Sequence, residues 1–174
     1  MALTMDQLKA AFKKRTDSQG SGGTSLYDQF YPFYKMNYGE VASFRFLPDL
    51  DENNPWGFLM ENKYHEVMIN GKKKRVACLH MYGEDCPLCE ASSSFYGEGD
   101  KTMGKLFWRK IDYLSSGLVM SSPFEYVIDP NKNPVRIISL GPKLFEVVEA
   151  AMLTGEFDEP PTDLINGCDF RINK

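Results

Sequence analysis

The chain is short of several things. It has no run of about 18 consecutive apolar residues, and its start, Met1-Ala-Leu-Thr-Met-Asp6, has no basic segment leading into an apolar one. The expectation is a soluble, unexported protein of the cytoplasm with no membrane partner. Cysteine occurs four times and histidine twice in 174 residues. Without an export signal, cysteines at metal-ligand spacing argue for thiolates in a reducing compartment over disulfides. No repeats or low-complexity tracts appear beyond one Gly/Ser-rich segment, so the length is read as one core plus a metal-stapled subdomain. No Ser-His-Asp set or phosphate-cradling glycine motif stands out, and the protein is not expected to be an enzyme.

Overall positive charge is also missing. The net charge is −4, whereas phosphate contact needs clustered Lys and Arg. Distribution decides the matter. Between Lys63 and Lys110 the bases Lys63, Lys72, Lys73, Lys74, Arg75, Lys101, Lys105, Arg109 and Lys110 outnumber the acids, and from Ile111 onward the acids outnumber the bases.

What is present concentrates in Tyr64 to Cys89, which holds both histidines and three of the four cysteines. Asn70-Gly71 between two alternating runs is a strong signal for a two-residue type I′ hairpin, since both central residues need φ > 0. Pairing outward sets Ile69 opposite Lys72 and His65 opposite Val76, leaving Cys78 diagonal to His65 on one sheet face. Cys86-Pro-Leu-Cys89 follows, and a Cys-x-x-Cys knuckle offers two thiolates to a tetrahedral centre. The reading is a Cys₃His zinc site. His80 competes with His65 for the fourth position. Cys78 and His80 at i, i+2 make an awkward ligand pair for one ion, which favours His65. Cys168 lies far off and reads as a small buried thiol.

Around this stretch, Thr4-x-x-Gln7 predicts a capping box opening a thin amphipathic helix that ends in Lys13-Lys14-Arg15-Thr16-Asp17-Ser18. A flexible linker from Gln19 to Ser25 follows, giving an arm over 1–25 and a core over 26–174. Most of the aromatic patch Tyr27, Phe30, Tyr31, Phe33, Tyr34 and Tyr38 is expected in the core. Val41 to Leu47 predicts a strand with Arg45 and Ser43 opposite Phe44 and Phe46. Glu90 to Tyr96 predicts at most a helical turn, ended by Gly97, Gly99 and Asp100. Further strands are expected at Leu118–Met120, Phe124–Ile128, Val135–Leu140 and from Asp169. A helix opens at Gly141-Pro142 and closes at Gly155, burying Leu144, Phe145, Val148, Ala151 and Met152. The pattern is mainly β (α+β), an OB-fold core with the zinc hairpin and knuckle inserted at about 60–112.

Arg45-Phe-Leu-Pro48, His65 with Cys78, Asp85-Cys86-Pro-x-Cys89, Arg109-Lys110 before Tyr113, Leu140-Gly-x-Lys143, Pro161-Thr-Asp163 and Gly167-x-x-Phe170 come in this order. Together they resemble the helix-destabilising single-stranded-DNA-binding protein of T-even-like tailed phages, from about Glu40 to the C-terminus. The resemblance implies zinc on His65, Cys78, Cys86 and Cys89, and sequence-independent coating of single strands in replication, recombination and repair. It further implies that the basic arm, here Lys13, Lys14, Arg15, Thr16 and Ser18, drives head-to-tail cooperativity between copies. A Trp-Tyr pair that the family carries on the hairpin is replaced by Lys73-Lys74. The family also has a longer core and an acidic tail that recruits partner proteins, with replication and recombination proteins the expected ones, and this sequence, which stops at Lys174, is expected either to be a fragment or to close its barrel differently.

On this reading Arg45, Lys72, Lys73, Lys74, Arg75, Arg109 and Lys110 neutralise phosphates, while Tyr82, Tyr96, Trp108 and Tyr113 stack on bases. Two other functions compete: a zinc-ribbon protein-interaction module without nucleic acid, and a Cys-x-x-Cys thiol-disulfide oxidoreductase. Against the latter stand the poor helix expected after Cys89 and the lack of a βαβ pattern.

Overall fold

The computed structural model describes residues 26–157, 159–163 and 165–174. The expected arm, with Lys13, Lys14, Arg15, Thr16 and Ser18, lies outside the described residues.

Two 3-10 turns, Leu26–Gln29 and Phe33–Lys35, lead into β1 (Val41–Phe46). Along β1 Ala42, Phe44 and Phe46 are buried while Ser43 and Arg45 face away, the two-residue period of a half-buried strand. The hairpin of β2 (Met60–Ile69) and β3 (Lys72–Ala77) turns at Asn70-Gly71, with φ of 51° and 71°. Its register is the expected one, His65 opposite Val76 and Ile69 opposite Lys72. Then come α1 (Pro87–Gly97), α2 (Lys101–Phe107), β4 (Lys110–Ser121), β5 (Val135–Leu140), α3 (Pro142–Leu153) and β6 (Phe170–Asn173).

The fold is mixed α+β, built on an antiparallel sheet of six strands among the described residues, in the order β3-β2-β4-β1-β6 with β5 also on β4. The long β4 is the hub. One of its edges takes β2 along Lys110–Leu114 and β1 along Gly117–Ser121, and the other takes β5 along Tyr113–Leu118. The metal hairpin and both short helices thus fall, in chain order, between β1 and β4. Phe44, Phe46, Val127, Ile138 and Leu140 form the driest part of the core, with Tyr31 and Val148 at its margin.

Several local expectations are corrected. Phe124–Ile128 is a turn and not a strand: Val127 N donates to Phe124 O at 3.0 Å, and Val127 is driven fully into the core. Burial of that one side chain outweighs strand propensity. Leu118–Met120 is no separate strand but the end of β4. Asp100 starts a helix, its carboxylate accepting from the N–H groups of Thr102 and Met103 as the N-cap of α2. On α3 Val148 is buried, but Leu144 and Met152 are 43% and 41% exposed. In the aromatic patch Tyr31 is core, while Tyr34 and Tyr38 stand in solvent.

Gly117 marks where β4 changes partner from β2 to β1, and a Cβ there would run into Ile138 Cγ1, itself fully buried. Gly117→Ala is expected to cost about 1–3 kcal/mol through overpacking, read as a lower midpoint in denaturant. An unchanged midpoint would mean that Ile138 repacks freely.

Candidate metal centre and nucleic-acid face

Four ligands from three local structures meet at one point. His65 comes from β2, Cys78 follows β3, and Cys86 and Cys89 come from the N-cap and first turn of α1. Their donor atoms all lie within 4.8 Å of one another. Cys78 Sγ is 3.6 Å from Cys89 Sγ, and His65 Nε2 is 3.3 Å from Cys86 Sγ and 3.6 Å from Cys89 Sγ. A tetrahedral ion bound at the usual zinc–sulfur length would space its sulfurs by about 3.8 Å. The group fits a metal such as zinc.

His65 is fully buried, and its Nδ1 lies 2.7 Å from Phe107 O. A carbonyl can only accept, so Nδ1 carries the proton and Nε2 offers its lone pair to the sulfurs. Phe107 is held by the packing of α2 on α1. Ser92 Oγ donates to Gly104 O at 2.7 Å, the Phe95 and Phe107 rings stack at 5.7 Å, and Gly104 leaves room for the Tyr96 ring. His80, in the 3-10 turn Leu79–Tyr82, is exposed, with Nδ1 3.5 Å from Arg109 Nη1 and away from the cluster.

The thiols are electrostatically unequal. Burial pushes the Cys86 thiol up, but the backbone N–H groups of Cys89, Leu79 and Leu88 outweigh it and bring it down to about 6. Burial, then hydrogen bonds with Cys78 and Cys86, push Cys89 up to about 12. Three thiols around one point cannot all ionise unaided, and a dication supplies the missing charge. The expectation of a poor helix after Cys89 is corrected here. The segment forms an 11-residue helix with Cys86 as its N-cap, so that objection to thiol chemistry falls. What stands against it is that His65 and Cys78 also point at the same centre. Cys168 is half-buried and outside the cluster.

The basic run does not form one patch. Strand alternation puts Lys73 and Arg75 on the face of Glu66, and Lys72 and Lys74 on the opposite face. Lys73 Nζ reaches Glu66 at 2.6 Å, Arg75 contacts Glu66 at 3.8 Å and Asp112 at 3.5 Å, and Lys110 Nζ is also bonded to Glu66. Hydrogen bonds from Lys110 first and Lys73 next hold the Glu66 carboxyl at about 2. Arg75 also lies over the Tyr64 ring at 4.5 Å. Arg45 is tied to Asp169 at 2.8 Å. Among the described residues Lys72, Lys74 and Arg109 have no carboxylate partner, and Arg109 lies 5.8 Å from the Trp108 ring.

The aromatic candidates differ in what they expose. Tyr82 and Trp108 are 66% and 50% exposed. Tyr96 meets Trp108 edge-on at 5.9 Å. Tyr113 has one face covered by Phe145, stacked at 3.7 Å, with Trp56 5.8 Å away. Half-exposed Trp56 was not singled out in the sequence, because it precedes the hairpin in a polar loop and joins this stack only through tertiary packing.

A six-stranded antiparallel sheet with a hairpin and helix pair closed on a His/Cys₃ cluster that could hold a metal defines the class, a mixed α+β protein with a candidate zinc site. The family model described as gp32 DNA binding protein like matches residues 39–174. The chain belongs to this family of DNA-binding proteins. No curated protein matches it. Among the described residues no helix is long and apolar enough to cross a membrane.

Cys86→Ser is expected to abolish binding of one zinc per chain and to lower the melting temperature, measured by metal analysis and thermal unfolding. A chelator should bring the wild type to the same state. Wild-type protein without zinc and indifferent to chelator would remove the metal from the account.

Proposed function

We propose that the protein binds single-stranded DNA without sequence preference and destabilises the duplex by trapping the open strand, as a non-catalytic component of phage replication, recombination and repair. The observation that carries this is the exposed Trp108 ring with Arg109 against it, directly after Phe107 whose carbonyl accepts from His65 of the cluster, in a chain of a DNA-binding family. Zinc, when bound, fixes the hairpin against α1 and α2. Lys72, Lys74 and Arg109 then meet phosphates directly, while Lys73, Arg75, Lys110 and Arg45 meet them from within ion pairs. Tyr82, Tyr96 and Trp108 offer stacking surfaces, each worth about 1–3 kcal/mol per base. With one face of Tyr113 on Phe145, a base would reach that ring from its other side.

The unit from β2 through α2, at about 60–112, acts as a subdomain inserted into an OB-type core. The arm over 1–25 couples neighbouring copies, since a basic segment on a flexible linker samples a wide volume at little cost. Binding along one strand raises the local concentration of the acidic C-terminal half, against which Lys13, Lys14 and Arg15 would dock. Proteins of the replication and recombination machinery are the further partners.

Binding to oligothymidylate at varied salt tests the core site. Lys72→Ala, Lys74→Ala and Arg109→Ala should each flatten the slope of log affinity against log salt by about 0.7. Equal affinity for duplex would reject single-strand preference, and no salt-dependent binding at all would favour a zinc-ribbon interaction module. A thiol titration with and without chelator would expose a redox centre if the cysteines reacted while metal was bound.

Removing residues 1–18 should leave affinity for an oligonucleotide of one site length nearly intact and abolish cooperative filling of a long strand. Persistence of cooperativity would clear the arm of that role. Loss of single-site affinity would move the arm into the DNA site.

A further inference from the structure

Three of the cations proposed for the phosphate track converge on one carboxylate. Glu66 takes Lys73 at 2.6 Å, Arg75 at 3.8 Å and Lys110 in a close contact, its side chain 13% exposed against 48–63% for the cations. The acid lies underneath and the cations lie over it. Asp112, the second acid of the group, has different company. Asn62 Nδ2 donates to it at 2.7 Å and Ser139 Oγ at 3.2 Å, so it is held whether or not Arg75 stays. Among the described residues Glu66 has no neutral donor to its carboxylate, only the three cations.

We propose that Glu66 is a built-in counter-anion that competes with the DNA strand: in the free protein it occupies Lys73, Arg75 and Lys110, and a phosphate must share or displace it. The inference rests on the single-strand reading above. Two carboxylates against three cations leave this face one net positive charge, so it attracts phosphate but gives up less than its basic residues suggest. The hairpin therefore grips a strand mainly through Lys72 and Lys74 on its other face, and loosely through the Glu66 face.

Glu66→Gln keeps the shape and removes the charge. Its affinity for oligothymidylate at low salt should rise about three- to tenfold, the effect of one charge a few ångströms from a phosphate in a high-dielectric setting. The slope of log affinity against log salt should steepen by up to about 0.7. In a Lys73→Gln/Arg75→Gln/Lys110→Gln background the gain should vanish. Unchanged or weaker binding by Glu66→Gln, with zinc content and melting temperature intact, would overturn the proposal and make Glu66 a residue that orients the cations. A gain that persists without Lys73, Arg75 and Lys110 would overturn it too. Met68 lies opposite Lys73 on the same face and is 64% exposed, so Met68→Glu, checked for an unchanged melting temperature, gives the converse test. A second acid there should weaken binding and flatten the slope, and no change would count against competition. Wild-type protein that fails to bind oligothymidylate even at low salt would overturn the single-strand reading itself, and this proposal with it.

Discussion

The contact on which the site depends is the one between His65 Nδ1 and Phe107 O. It fixes the imidazole in the tautomer that leaves Nε2 free, and it does so with a carbonyl at the very end of α2. That carbonyl is placed only if α2 packs on α1, and α1 begins at Cys86, itself part of the cluster. Hairpin, knuckle and helix pair therefore close on one another in a ring of mutual dependence. A bound dication would close the ring electrostatically, since it lets Cys89 ionise beside Cys86 and Cys78. None of these pieces has a large core of its own: Cys78, Cys86, His65 and Ser92 account for most of what is fully buried there. A small unit of this kind needs a staple.

The same hairpin that builds the cluster divides the basic run. Because successive residues of a strand point to opposite faces, four adjacent cations cannot form one surface. Lys73 and Arg75 fall in with Glu66, Asp112 and Lys110, while Lys72 and Lys74 do not. The residue following His65 is thus an acid that faces away from the His/Cys cluster and into the cations. One alternation rule places the His/Cys cluster on one face of β2 and the ion-pair network on the other.

Much of this was legible because it is local. The Asn70-Gly71 turn, the hairpin register and the in-facing residues of β1 follow from period and turn chemistry, and they emerged with the register intact. The preference for His65 over His80 rested on the spacing of ligands on one strand, and His80 indeed faces Arg109 outside the cluster. The misread elements owe their form to distant partners. The serine-rich segment after Cys89 is a weak helix former, held by two cysteines at its start, by Ser92 on Gly104 and by Phe95 on Phe107. Phe124–Ile128 has strand composition, but Val127 is a plug for the core. The partnering of the cations with Glu66 was invisible for the same reason, because Lys110 arrives from β4, 44 residues away in the chain.

A net charge of −4 and a role in holding DNA are compatible once distance is considered. At physiological ionic strength an exposed charge is felt over about 8 Å, so acids of the C-terminal half that lie farther off scarcely affect a phosphate at the hairpin. Glu66, Asp112 and Asp169 are the exceptions, since each lies in direct contact with a cation of the proposed phosphate track. On the proposed reading, the effective charge of the binding face is then governed less by the composition of the chain than by these few carboxylates. On the same reading, a chain that is acidic overall keeps the electrostatic attraction local, as at Trp108 and Arg109, where a planar base would stack on the exposed ring while its phosphate meets the adjoining guanidinium. Such an arrangement would favour a flexible single strand, which can bring both base and phosphate to one spot, over a stiff duplex whose bases are turned inward.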